Sequence, residues 1–335
     1  MRLLKRAGIL CCALSLCLLP LTGCGRSNTS VKSGVVIYSS MEDYRSIELE
    51  KQLKEKFPDL KVTVQQIATG NSAAKIKAEG TNTEADIVLG METASIEQIS
   101  DSLADLSAID ISTDQYLPGV NDADPRYLIW EKFEGAFIVN TEVLAEKGLP
   151  EPHSYQDLCN PIYKNQIIMP NPKTSSTGYM FLNQWYNDMG SQEAMSYVDR
   201  MQLNIRQFTQ SGSGPIKVLN QGEAAIGLGM VFQAAEQITK GAPLKIIAPA
   251  EGTPYNTTSF GIIKGRETNP DVQAVFRFLN EEFSPYDKAY FSPGKILKDQ
   301  ELKLPNYPAD LPSGNMATIA DSALKMELLD GWYYS

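Results

Sequence analysis

MPNPKTSSTGYMFL, residues 169–182, joins an apolar run to an amphipathic one, and its reading decides the fold. Gln166, Ile167, Ile168 and Met169 read as a short buried strand, and Pro170-Asn171-Pro172-Lys173 as the turn that ends it. Thr174, Ser175, Ser176, Thr177 and Gly178 then precede Phe181, Leu182 and Trp185 at helical spacing. Hydroxyls just before such a pattern accept the free N–H groups of the first turn. Four hydroxyls and a glycine exceed what one cap needs. At the positive end of a helix the surplus suits a bound phosphate or carboxylate. A capped loop with no ligand is the structural alternative.

The same grammar repeats on both sides. Downstream, residues 204–208 read as a strand, followed by Gln210, Ser211, Gly212, Ser213, Gly214 and Pro215. Proline at the first helical position after Ser/Gly marks a second helix start. Residues 224–229 and 244–248 supply two more strands. Upstream, Val35 to Tyr38 form a β-rich run ending in Ser39 and Ser40. Residues 43–57 read as a helix, 60–67 as a strand, 72–79 as a helix and 85–90 as a strand. Strands alternating with helices give βαβ units and a mostly parallel sheet. Ligands of such sheets sit at the strands' carboxyl ends, where Ser39, Ser40, Thr69, Asn71 and Glu92 fall. Residues 133–140 and 255–265 read as crossovers, and 270–282 and 285–291 as closing helices.

The first 23 residues look like a leader: Arg2, Lys5 and Arg6, an apolar stretch, then Leu21-Thr22-Gly23-Cys24. Without them, 27 Lys and Arg face 40 Asp and Glu, a net charge of −13. That balance disfavours nucleic acid and anionic membrane surfaces. An anion site must therefore be built locally from amides and hydroxyls. Three cysteines leave with the leader and Cys24 would carry lipid, so Cys159 remains as a packed thiol with no disulfide partner. His153 is the sole histidine, in a loop beside Pro152. The thiols offer no metal cluster, and a Ser-His-Asp arrangement would have to use His153, which follows no nucleophile elbow. Ser72-Ala73-Ala74-Lys75 matches a β-lactamase S-x-x-K, but its companion motifs S-D-N and K-T-G are missing.

Five segments carry a family resemblance: YSS at 38–40, PNPKTSSTGY at 170–179, QGEAAIG at 221–227, EGTPYN at 251–256 and FSPYDKAYFSPG at 283–294. In their order and spacing the chain resembles the solute-binding lipoproteins of bacterial ABC importers, within the ferric-iron, 2-aminoethylphosphonate and thiamine group. The resemblance implies an α/β fold of the two-lobed type II periplasmic kind, each lobe a mostly parallel sheet flanked by helices. It implies a leader at 1–23, a tether at 24–34 lipidated on Cys24, one lobe from 35–132 and 262–335, and the other from 133–261. The expected protein is an extracytoplasmic, membrane-anchored monomer that hands a small anion to an ABC permease, with no enzyme activity, cofactor or metal. The ligand residues expected are Ser39, Ser40, Asn71, Thr174, Ser175, Ser176, Thr177, Gly178, Ser211, Gly212, Ser213 and Tyr255, around a phosphoryl or phosphonyl head. Glu42, Glu92, Glu251, Trp130 and Tyr255 are candidates for a cationic end. The family's iron-binding branch uses adjacent tyrosines where this chain has Gly229-Met230-Val231-Phe232, and a histidine where it has Ser39 to Glu42. Hard ferric iron wants phenolate or carboxylate. Ferric iron, for which those ligands are missing, or thiamine or its phosphate is the alternative cargo, and a sensor lipoprotein paired with a kinase the alternative role.

Overall fold

From β1 (Val35–Ser39) the chain runs through α1 (Asp43–Lys56), β2 (Val62–Gln66), α2 (Thr69–Glu79), β3 (Ile87–Glu92) and the short α3 (Thr93–Ile96). The long β4 (Leu128–Asn140) leads to α4 (Thr141–Lys147), β5 (Ile167–Pro170), α5 (Ser176–Met189), α6 (Ser191–Met201) and β6 (Ile205–Thr209). Then follow α7 (Gly214–Asn220), β7 (Ile226–Met230), α8 (Val231–Thr239) and β8 (Leu244–Ile247). β9 (Tyr255–Ile262) returns to α9 (Pro270–Phe278), α10 (Ser284–Tyr290) and a last helix, α11 (Ser322–Gly331). The computed structural model describes residues 34–122 and 124–334, so the leader, Cys24 and the tether up to Ser33 lie outside the described residues.

The strand order is β2-β1-β3-β9-β4-β7-β5-β6, with β8 on β4. β1 runs parallel to β2 and β3, and β5 parallel to β6 and β7. β4 and β9 cross antiparallel between these two sets. Along β4, Leu128 to Glu134 pair with β9, whereas Gly135 to Val139 pair with β7. β4 therefore changes partners at Gly135, and the carboxyl ends of both parallel sets lie beside the crossover. The sheet is mixed overall, with one three-stranded parallel set in each half where the βαβ alternation implied a mostly parallel sheet.

Each half has its own core. Leu49, Leu53, Trp130, Phe260 and Phe276 belong to the first, and Phe137, Tyr155, Trp185, Tyr197 and Val198 to the second. α5 is the spine of the second: Thr177 to Trp185 are all buried, and the Trp185 and Tyr197 rings meet at 5.0 Å. Burying one such side chain contributes about 1.5–3 kcal/mol. Gly135 permits the close approach, since a Cβ there would lie 2.4 Å from Met180 Cε and 2.8 Å from Phe181 Cζ.

Three features depart from the sequence expectation. β4 begins at Leu128 rather than Phe133, with a bulge between Ile129 and Glu131 that hides its period-2 pattern. α2 begins at Thr69 rather than Ser72, so Thr69, Gly70 and Asn71 form a helical turn instead of a loop. Residues 304–334, expected with the whole of 262–335 in the first lobe, place Leu304, Met316, Ile319, Leu328 and Trp332 in the second core. Sparse apolar spacing and four prolines or glycines between residues 305 and 314 concealed this segment from a periodicity reading.

Candidate ligand-binding cleft

α5 starts against the end of β5 because Asn171 organises the turn between them. Its carbonyl accepts the N–H groups of Thr174 at 3.1 Å and Ser175 at 3.0 Å, and its Oδ1 accepts Lys173 N–H at 2.9 Å. Ser175 is the N-cap residue, with extended backbone (φ −134°, ψ 126°), yet its side chain makes no capping hydrogen bond. The first N–H groups of an α-helix have no intrahelical partner. The Ser175 hydroxyl satisfies none of them.

This helix start borders a cleft of about 550 Å³. One wall carries Thr174, Ser175, Ser176 and Thr177 together with Ser211, Gly212 and Ser213, so the two hydroxyl-rich loops share one cavity. They touch: a Cβ on Gly212 would sit 2.3 Å from Thr177 Oγ1. Ser211 Oγ and Ser213 Oγ lie 3.2 Å apart. The opposite wall carries Ser40, Thr69, Gly70 and three carboxylates, Glu42, Glu92 and Glu131. Ser40 Oγ already donates to Ile67 O at 2.8 Å, which leaves its lone pairs free as acceptors.

Four expected residues do not line this cavity. Ser39 is fully buried behind it, its Oγ 3.0 Å from Ser46 Oγ. Asn71 is exposed on α2, because the helix begins early and rotates it outward. Gly178 is buried behind the loop, and Tyr255 stands at the start of β9 with the Lys132 ammonium 4.3 Å above its ring. Of the candidates for a cationic end, Trp130 is core and Glu251 accepts the Tyr155 N–H at 3.0 Å. Glu42 and Glu92 do face the cleft.

Sequence reasoning missed Glu131, Lys325, Phe232 and Gln233, all of which line it. Beneath the acidic wall lies Arg45, fully buried. It meets Glu42 at 2.9 Å, Glu131 at 2.7 Å and Asp287 at 2.7 Å. Lys288, also buried, pairs with Asp287 and lies 4.6 Å above the Trp130 ring. Burial pushes the Glu42 carboxyl up; Arg45 opposes this and Glu131 adds to it. Burial likewise pushes the Asp287 carboxyl up, but Arg45 and Lys288 together hold it below the usual carboxylate range. A charged residue at position 45 of a helix looks like a solvated face in sequence, so this cluster left no legible signal.

Ser72 is buried, and Lys75 pairs with Glu84 at 3.0 Å. Cys159 is half-buried against the second core, and burial raises its thiol. Among the described residues no group of three His, Cys, Asp or Glu is arranged to hold a metal ion.

A family model described as bacterial extracellular solute-binding protein matches residues 58–303. An uncharacterized protein of Haemophilus influenzae is 28% identical over 250 residues, covering 71% of this chain and 70% of that protein. A protein of Salmonella typhimurium, described as a putative 2-aminoethylphosphonate-binding periplasmic protein, is 23% identical, covering 65% of this chain and 64% of its own. The structure of the periplasmic binding protein AfuA from Actinobacillus pleuropneumoniae, with fructose-6-phosphate bound, superposes with a TM-score of 0.77 at 24% identity. That match covers 90% of this chain and 98% of AfuA.

Proposed function

This chain belongs to the bacterial extracellular solute-binding proteins, and we propose that its solute is a small phosphorylated or phosphonate organic anion, of the 2-aminoethylphosphonate type. The fold is the two-lobed α/β fold of type II periplasmic binding proteins, and the family works with ABC permeases. The observation that carries the ligand reading is the uncommitted N-cap of α5. Ser175 lines the cleft without capping its helix, beside the Ser211 to Ser213 loop. Helix-start amides and hydroxyls offer aligned donors to an anionic oxygen without the desolvation cost of a buried lysine.

The two walls differ in chemistry. Donors crowd one side, whereas Glu42, Glu92 and Glu131 occupy the other. This polarity suits a molecule whose other end carries an ammonium or several hydroxyls, as in an aminoalkylphosphonate or a sugar phosphate. Ferric iron is the weaker reading: among the described residues no tyrosine lines the cleft to supply a phenolate. The same proposal includes lipid anchoring through Cys24 after loss of residues 1–23. It also includes closure of a lobe built on 35–132 against one built on 133–261, about the β4 and β9 crossovers.

Mass spectrometry of small molecules carried through purification, with a thermal-shift screen, tests the reading. The expected result is a phosphorus-containing solute, and a melting temperature raised by phosphonates or sugar phosphates but not by ferric citrate or free thiamine. Stabilisation by ferric citrate alone would overturn it.

A further inference from the structure

α11 reaches the cleft from an unexpected direction. Leu328 and Trp332 sit in the second core, and the Trp332 and Tyr334 rings pack on Phe208 of β6 with centroids at 5.5 and 6.1 Å. The Tyr334 carbonyl accepts hydrogen bonds from Trp332 Nε1 at 2.9 Å and from Asn171 Nδ2 at 3.3 Å. Asn171 is the residue that shapes the 174–177 turn, so the tail is fastened to the anion loop itself. With the helix so fixed, Lys325 and Leu329 face the cavity.

Three lysines line the cleft. Lys77 and Lys173 are exposed, whereas the Lys325 side chain is 13% exposed and held in place. Its ammonium lies 4.8 Å from the ring centroid of Tyr179. Tyr179 lies one turn into α5, its backbone N–H donating to Ser175 O. Glu92 of β3, 2% exposed, pairs with the ammonium and also accepts Asn256 Nδ2 at 2.9 Å. Lys325 is thus a nearly buried cation in the cleft wall whose carboxylate partner is Glu92.

We propose that Lys325 is a selectivity residue of the cleft, neutralised by Glu92 when no anion is present and transferred to a dianionic head that docks at the hydroxyl loops. Glu92 and the ligand then compete for one ammonium. The arrangement makes the cleft favour dianions over neutral and singly charged solutes, and makes the C-terminal helix part of the binding site. The inference rests on the phosphoryl reading of the same cleft.

Calorimetric titration with fructose 6-phosphate and with methylphosphonate, neither of which carries a cationic group, tests it on the full-length protein. Lys325→Met should weaken binding roughly ten- to a hundred-fold, the effect of one lost bond to a charged oxygen. Lys325→Arg should retain most of the affinity. Glu92→Gln keeps an oxygen for the Asn256 amide but removes the competing charge, so it should tighten binding several-fold. A merely structural pair would instead weaken binding in both Lys325→Met and Glu92→Gln, in step with melting temperature, and that outcome overturns the proposal. If the wild type binds these probes and Lys325→Met binds them equally, this inference falls alone. If the wild type binds neither, the phosphoryl reading falls and takes the inference with it.

Discussion

Arg45→Met should cost the ligand-free protein about 3–5 kcal/mol, the penalty for stranding buried charges by removing their partner. Arg45 is fully buried and serves three carboxylates at once, two of them in the cleft wall. Methionine keeps much of the stem's volume and its packing near Phe232, whose ring centroid lies 5.9 Å from the guanidinium. The loss is therefore electrostatic rather than a cavity effect. Lys288 keeps Asp287 as its ion-pair partner, whereas Glu42 and Glu131 lose the cation they share. Urea denaturation followed by circular dichroism measures the change; a loss under about 1 kcal/mol would show that the cluster is dispensable. Adding Glu131→Gln to the same chain should recover part of it, because a stranded carboxylate goes with the cation while Asp287 stays as the partner of buried Lys288. The pH dependence has a definite sign. Asp287 is held below its unfolded value of about 3.9, so its stabilisation is present above that value and lost as pH falls through the folded one.

Gly178→Val should be nearly as harmful, and for a reason that the sequence does not disclose. Gly178 was expected at the ligand; it lies behind the loop instead. A Cβ there would be 2.4 Å from Pro170 O, 2.8 Å from Pro172 N and 2.9 Å from Asn171 C. All three are backbone atoms and cannot swing aside. Overpacking usually costs 1–3 kcal/mol, and a rigid neighbour places this site at about 3 kcal/mol. Relief must come from moving the 170–172 turn, which carries Ser175 and Ser176 with it, so affinity should also fall at least tenfold. Thermal melts and titration of the variant check both parts. A melting temperature within a degree or so of wild type would mean that the turn yields more easily than its two prolines allow.

The pair of hydroxyl loops was legible because cap chemistry is local. Thr174 to Thr177 and Ser211 to Ser213 announce helix starts through residue types within a few positions. The βαβ frame was legible from β-branched runs such as Val35 to Tyr38. Residues whose environment is made by distant partners were not. Arg45 and Asp287 meet across 242 positions, and Lys325 and Glu92 across 233. No spacing rule links them. Asn71 and Ser39 failed in another way: each lies within one or two residues of a cavity-lining neighbour, Gly70 and Ser40, but the helix turn and the strand's alternation aim them elsewhere. A loop motif fixes where a site is more securely than which of its side chains faces in.

The central claim is that the α5 hydroxyls serve a ligand rather than their helix, and Ser176→Ala tests it most directly. Ser176 lines the cleft at the first position of α5, and the residue before it already makes no side-chain cap. Calorimetric titration of wild type and variant with 2-aminoethylphosphonate and fructose 6-phosphate, beside thermal melts without ligand, is the measurement. The account predicts affinity reduced roughly ten- to a hundred-fold for whichever compound the wild type binds, with the melting temperature unaltered. Unaltered affinity with a lowered melting temperature would contradict it and return the serine to the role of a structural cap.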